Sequence, residues 1–90
     1  MLTQFELKIM SAIYACGTDE FTIGMIHKEL DRYYAYTTIQ TMITRLKLKG
    51  YIEKVSTGKP ANYKTVMSKL DLYKRQVDVI YRVLRINLPN

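Results

Sequence analysis

Ninety residues, 48% of them hydrophobic, suffice for one domain around one modest core and exclude a disordered chain. No apolar run approaches the ~20 residues of a membrane span, and the N-terminus has no basic segment followed by an apolar stretch and a cleavage site, so a cytoplasmic protein with no membrane partner is predicted. The net charge of +6 is uneven: residues 1–31 hold two lysines against five acids (−3), residues 32–64 seven cations against Glu53 alone (+6), and residues 65–90 five cations against two acids (+3). A basic block of this kind is an electrostatic footprint for a polyanion, most often nucleic acid.

Thr3 and Glu6 fit a capping box at the start of a first helix. Phe5, Ile9, Met10, Ile13 and Tyr14 then follow the helical period, and Gly17 supplies a left-handed stop, which predicts a helix over about 4–16. Cys16, the single cysteine, excludes an intramolecular disulfide and reads as a small buried hydrophobe near that helix end. After a polar connection, Thr22 caps a second helix with Ile23, Ile26 and Leu30 inward, ending near Arg32. His27, the only histidine, has no partner at metal-ligand spacing and reads as a surface or half-buried helix residue.

Tyr33-Tyr34-Ala35-Tyr36 is a partly extended connection, and Thr37 is read as the cap of a third helix that runs to Lys49 and is closed by Gly50. Within it Ile39, Met42, Ile43 and Leu46 form one apolar stripe. The remaining positions Thr38, Gln40, Thr41, Thr44, Arg45 and Lys47 all donate hydrogen bonds, and none is acidic. A solvated helix face ordinarily mixes acids with lysines, because i,i+4 pairs of opposite sign add stability. A face of hydroxyls, an amide and cations suits base edges and phosphate oxygens instead, as in a DNA recognition helix.

Residues 51–56 alternate and favour a strand, Thr57-Gly58-Lys59-Pro60 is a turn in which Gly58 supplies unusual dihedrals, and residues 61–66 read as the returning strand. Three helices followed by a hairpin with a basic tip is the order of a winged helix-turn-helix. From Ser68 a last helix carries Leu70, Tyr73, Val77, Ile80 and Leu84 at 3-4-3-4 spacing, with Leu72, Val79, Val83 and Ile86 on a different side. A helix apolar on two faces has one to dock on the winged domain and one for a second subunit. The predicted class is thus mainly α with a small β-hairpin: a winged helix-turn-helix over 1–66 and a C-terminal dimerisation helix over 67–90.

The start Leu2-Thr3-x-Phe5-Glu6-Leu7-x-Ile9-Met10, the stretch from Tyr36-Thr37-Thr38-Ile39 through Gln40-Thr41-Met42-Ile43-Thr44-Arg45-Leu46, the Lys49-Gly50-Tyr51-Ile52 junction and the Gly58…Tyr63 wing resemble the BlaI/MecI/CopY penicillinase repressors, winged-helix regulators of bacteria, over roughly residues 2–66. The resemblance implies a homodimer that binds an inverted-repeat operator and blocks transcription. It carries the groove-facing role to Thr38, Thr41, Thr44 and Arg45, and the wing contact to Lys59. Two departures limit it. Only about 24 residues remain beyond the wing, where the family usually has several helices, so the resemblance leaves release by a membrane-linked protease, and any upstream sensor, unassigned. The cysteine cluster of the copper-responsive members is missing, and with it that route to metal sensing.

Two function classes follow. The first is a dimeric repressor using Thr37, Thr38, Gln40, Thr41, Thr44, Arg45, Lys47, Lys54 and Lys59 on DNA, and Leu70, Tyr73, Val77, Ile80 and Leu84 between subunits. The second is a winged helix that docks on protein without touching DNA. The sequence holds no Ser/His/Asp set, glycine-rich phosphate loop or metal spacing, so neither an enzyme nor a cofactor is predicted.

Overall fold

The computed structural model describes residues 2–85. Its elements are α1 (Gln4–Ala15), α2 (Ile23–Glu29), α3 (Tyr36–Leu48), β1 (Ile52–Ser56), β2 (Asn62–Thr65) and α4 (Lys69–Arg85). This is the predicted order: mostly helical, with one antiparallel hairpin. The predicted Ile86 lies outside the described residues.

The capping box forms as expected: the Glu6 amide donates to Thr3 Oγ1 at 3.1 Å, and the Thr3 amide donates to Glu6 Oε1 at 2.7 Å. Helix α2 begins at the Thr22 cap but stops at Glu29, short of the predicted Arg32. Its last turn closes with the Asp31 amide on the Lys28 carbonyl and the Arg32 amide on the His27 carbonyl, with Asp31 and Arg32 both at positive φ. This is a Schellman closure without glycine, so no residue type announced it.

Helix α3 also departs from expectation. Thr37 does not cap it; Ala35 holds the cap position with no side-chain bond, and Tyr36 and Thr37 already lie in the first turn. Its far end is as predicted. Gly50 sits at φ +83, the Gly50 amide donates to the Lys47 carbonyl and the Tyr51 amide to the Leu46 carbonyl. That closure hands the chain directly to β1.

In the hairpin Ile52 pairs with Thr65, Glu53 with Lys64 and Lys54 with Tyr63, and a bulge follows before Ser56 meets Asn62. Phe21 adds a further rung to β2: its amide and carbonyl each bond Tyr63 at 2.8 Å. The tip differs from its reading, since Gly58 is not in the left-handed region and the Lys59–Pro60 peptide is cis.

The core gathers Ile9, Met10 and Ile13 of α1, Ile26 of α2, Ile39, Met42, Ile43 and Leu46 of α3, and Phe21, Ile52 and Tyr63 around the hairpin. Helix α4 runs antiparallel along α1. The Tyr14 phenol donates to the Met67 carbonyl at 2.9 Å, and the Leu2 amide donates to Gln76 Oε1 at 3.2 Å. Leu72 and Gln76 are buried and Val79 is half-buried, so one face of α4 packs on the body as the pattern predicted. Val83, assigned to that same face, is instead exposed.

Candidate nucleic-acid interface

The outer face of α3 follows from its inner one. Ile39, Met42, Ile43 and Leu46 are buried and fix the helix rotation, which turns Thr37, Gln40, Thr41, Thr44 and Arg45 to solvent. Thr38 and Lys47 lie at the margins of that face and are half-buried. The nine residues predicted for DNA therefore fall into an exposed stripe, two flanking positions and two lysines on the wing, Lys54 and Lys59, both exposed.

The N-terminal end of α3 is chemically open. The Thr38 and Ile39 amides bond the Ala35 carbonyl, while the Tyr36 and Thr37 amides have no acceptor among the described residues. Free amides at the positive end of a helix dipole are an anion-binding arrangement. The turn before it is held by aromatic and imidazole contacts. His27 Nε2 lies 2.9 Å from the Tyr34 carbonyl, and the His27 ring meets Tyr36 edge-on at 5.7 Å. Tyr34 packs at a tilt against Phe5, ring centroids 4.9 Å apart, and Lys8 Nζ donates to its phenol at 3.2 Å.

One hydroxyl is already committed. Thr41 Oγ1 donates to the Thr37 carbonyl at 3.0 Å, so it offers its lone pairs and its methyl outward rather than its proton. Arg45 has Nη1 4.0 Å from Met42 Sδ and its guanidinium otherwise turned to solvent. Arg45, Lys47, Lys54 and Lys59 form no ion pair among the described residues. Lys64, also on the wing, does: it lies 3.1 Å from Glu53, so its charge is offset across the hairpin.

Lys49, at the end of α3, is held too. Its Nζ lies 2.9 Å from Glu6 Oε1 and 2.8 Å from Oε2, and only the first contact has hydrogen-bond geometry. Burial pushes the Glu6 carboxyl up, but the Lys49 ammonium and the amide and hydroxyl of Thr3 together hold it below its ordinary value. The carboxylate stays charged and anchors α1 to the end of α3.

Three features escaped the sequence reading. Leu48 is 80% exposed and continues the line of Thr37, Thr41 and Thr44, so an apolar residue ends the polar stripe. Its spacing from those threonines was the available signal. Tyr36 stands half-exposed at the open end of α3, where its place in the first turn was hidden by the misread cap. The Glu6–Lys49 pair joins residues 43 positions apart, and no local pattern signals it.

A family model described as penicillinase repressor matches residues 2–87. It runs past the wing through the whole of α4, well beyond the 2–66 over which motifs alone carried the resemblance. No curated protein matches the chain.

Proposed function

The chain belongs to the penicillinase repressor family, and from that premise we propose that it is a sequence-specific, double-stranded-DNA-binding repressor that acts in the bacterial cytoplasm as a homodimer on an inverted-repeat operator. The observation that carries this reading is the outer face of α3: exposed threonines, a glutamine and an unpaired arginine, beside a helix end with two free amides.

The parts divide by chemistry. The Tyr36 and Thr37 amides and the Thr37 and Thr38 hydroxyls take a backbone phosphate at the start of the helix, which fixes its register on the duplex. Gln40 and Thr44 donate to base edges in the major groove, and Thr41 accepts from a base amine or packs its methyl on thymine. Arg45 reaches a guanine or a flanking phosphate. Lys47 and the wing lysines Lys54 and Lys59 neutralise backbone charge. Residues 67–90 hold two winged domains together through Leu70, Tyr73, Val77, Ile80 and Leu84, because one small module on one half-site seldom suffices for specific affinity.

Two measurements test this. Selection from random duplex DNA should return a palindrome. For that sequence, log affinity should fall with log salt by about 0.9 per phosphate neutralised, and Arg45→Ala should weaken it roughly 10- to 100-fold. Failure to bind any duplex at low salt would transfer the argument to protein docking, for which the exposed Leu48 would be the anchor.

A further inference from the structure

Helix α4 leaves an apolar groove between itself and α1. Leu7, Ser11 and Tyr14 form one wall and Tyr73, Val77 and Ile80 the other, around about 310 Å³ of space. The antiparallel packing explains why it is open. Tyr14 meets Met67 and Leu2 meets Gln76, so the N-terminal end of α1 lies opposite the middle of α4. The following turns run on past it, and Ile80, Tyr81 and Leu84 remain about half exposed.

We infer that this groove receives the distal end of α4 from a second copy of the chain, so that α1 as well as α4 forms the dimer interface. The inference rests on the homodimer reading above and specifies its geometry. A two-fold axis near Val77 pairs the two α4 helices antiparallel, which brings Ile80 and Leu84 of one chain over Tyr73 and Leu70 of the other, beside Ser11 and Tyr14. The pairing is isologous, so each overhang fills the other's groove.

Area favours including α1. The five seam residues of α4 are each only 44–66% exposed, too little surface by themselves for the ~800 Å² per partner of a standard stable interface. The wall of Leu7, Ser11 and Tyr14 supplies continuous apolar surface where the seam alone falls short. The placement also has a consequence. Helix α1 carries Glu6, which grips Lys49 at the end of α3, so a partner seated on α1 bears on the element that holds the recognition helix.

The test uses the full chain and reads its oligomeric state by sedimentation equilibrium. Leu7→Asp, at a residue already partly exposed, should raise the dimer dissociation constant at least about tenfold with an unchanged circular dichroism spectrum. A photo-crosslinking phenylalanine analogue at Ser11, in mixed isotope-labelled and unlabelled protein, should join one chain to residues 69–85 of the other. If Leu7→Asp fails to fold, the crosslink decides alone. A dimer disrupted by Ile80→Asp but untouched by Leu7→Asp, with crosslinks only within a chain, overturns the groove and leaves the homodimer standing. A wild type that stays monomeric overturns both.

Discussion

The buried Glu6 carboxylate has exchanged its water for two donors, the Thr3 amide and the Lys49 ammonium, while the Glu6 backbone amide donates to the Thr3 hydroxyl. Because its folded-state carboxyl lies below the ordinary value, the unfolded chain binds the proton more readily. Stability from this group is therefore complete above the ordinary value of 4.5 and is lost as pH falls through the lowered one. Glu6→Gln should flatten that acid limb, measured as urea stability against pH. Lys49→Met should cost about 1–3 kcal/mol at neutral pH, because a buried carboxylate loses its counter-ion; the 40% exposure of Lys49 keeps the figure below that of a fully buried pair. The same substitution removes the strongest influence lowering the carboxyl, so its acid-induced loss should be smaller than in wild type. Should Lys49→Met leave neutral stability unchanged, the pair is no anchor for α3.

The junction from α3 to β1 turns on Gly50, whose φ of +83 only glycine adopts without strain. A methyl group built there would meet nothing within 4 Å, so Gly50→Ala should cost about 1 kcal/mol from backbone conformation alone. Gly58 is the control. Its backbone is ordinary and a methyl would lie 3.6 Å from the Pro60 carbonyl, so Gly58→Ala should change the denaturation midpoint little. The contrast also marks what the sequence could convey. Gly50 after a periodic run was legible as a helix stop, as were the Thr3–Glu6 box, the core stripe of α3 and the alternation of the hairpin, because each is a local rule. Gly58 followed the same rule and did not need it. The end of α2 was misplaced because Asp31 stands where glycine usually does, and the start of α3 because Thr37 is a good capping residue that lies two residues past the cap position held by Ala35. Of the candidate site, the exposed face was readable once the buried stripe was known. The commitment of the Thr41 hydroxyl and the loss of Lys49 and Lys64 to carboxylates depend on three-dimensional partners, and charge counting alone overstates the free cations.

Across the whole chain, the two apolar sides of α4 have different fates. Leu72, Gln76 and Val79 secure the helix to the winged body, whereas Leu70, Tyr73, Val77, Ile80 and Leu84 stay open to solvent. A charge placed on the open side should therefore leave the monomer intact, since surface substitutions away from special contacts change stability by only about 0.5 kcal/mol. Ile80→Asp lies there, 46% exposed. In the proposed dimer the same charge would be buried against apolar surface of the second copy, around its Tyr73, with no counter-ion to offset it. Dimerisation and operator binding should weaken together, because the second half-site then binds as an independent event rather than as part of the same molecule. The salt dependence gives the mechanism: each protomer keeps its own phosphate contacts, so the slope of log affinity against log salt should fall to about half of the wild-type value. Binding to an isolated half-site should be unchanged. An Ile80→Asp protein that sediments as the wild-type dimer would remove this face of α4 from the assembly and leave its exposure to be explained by another partner.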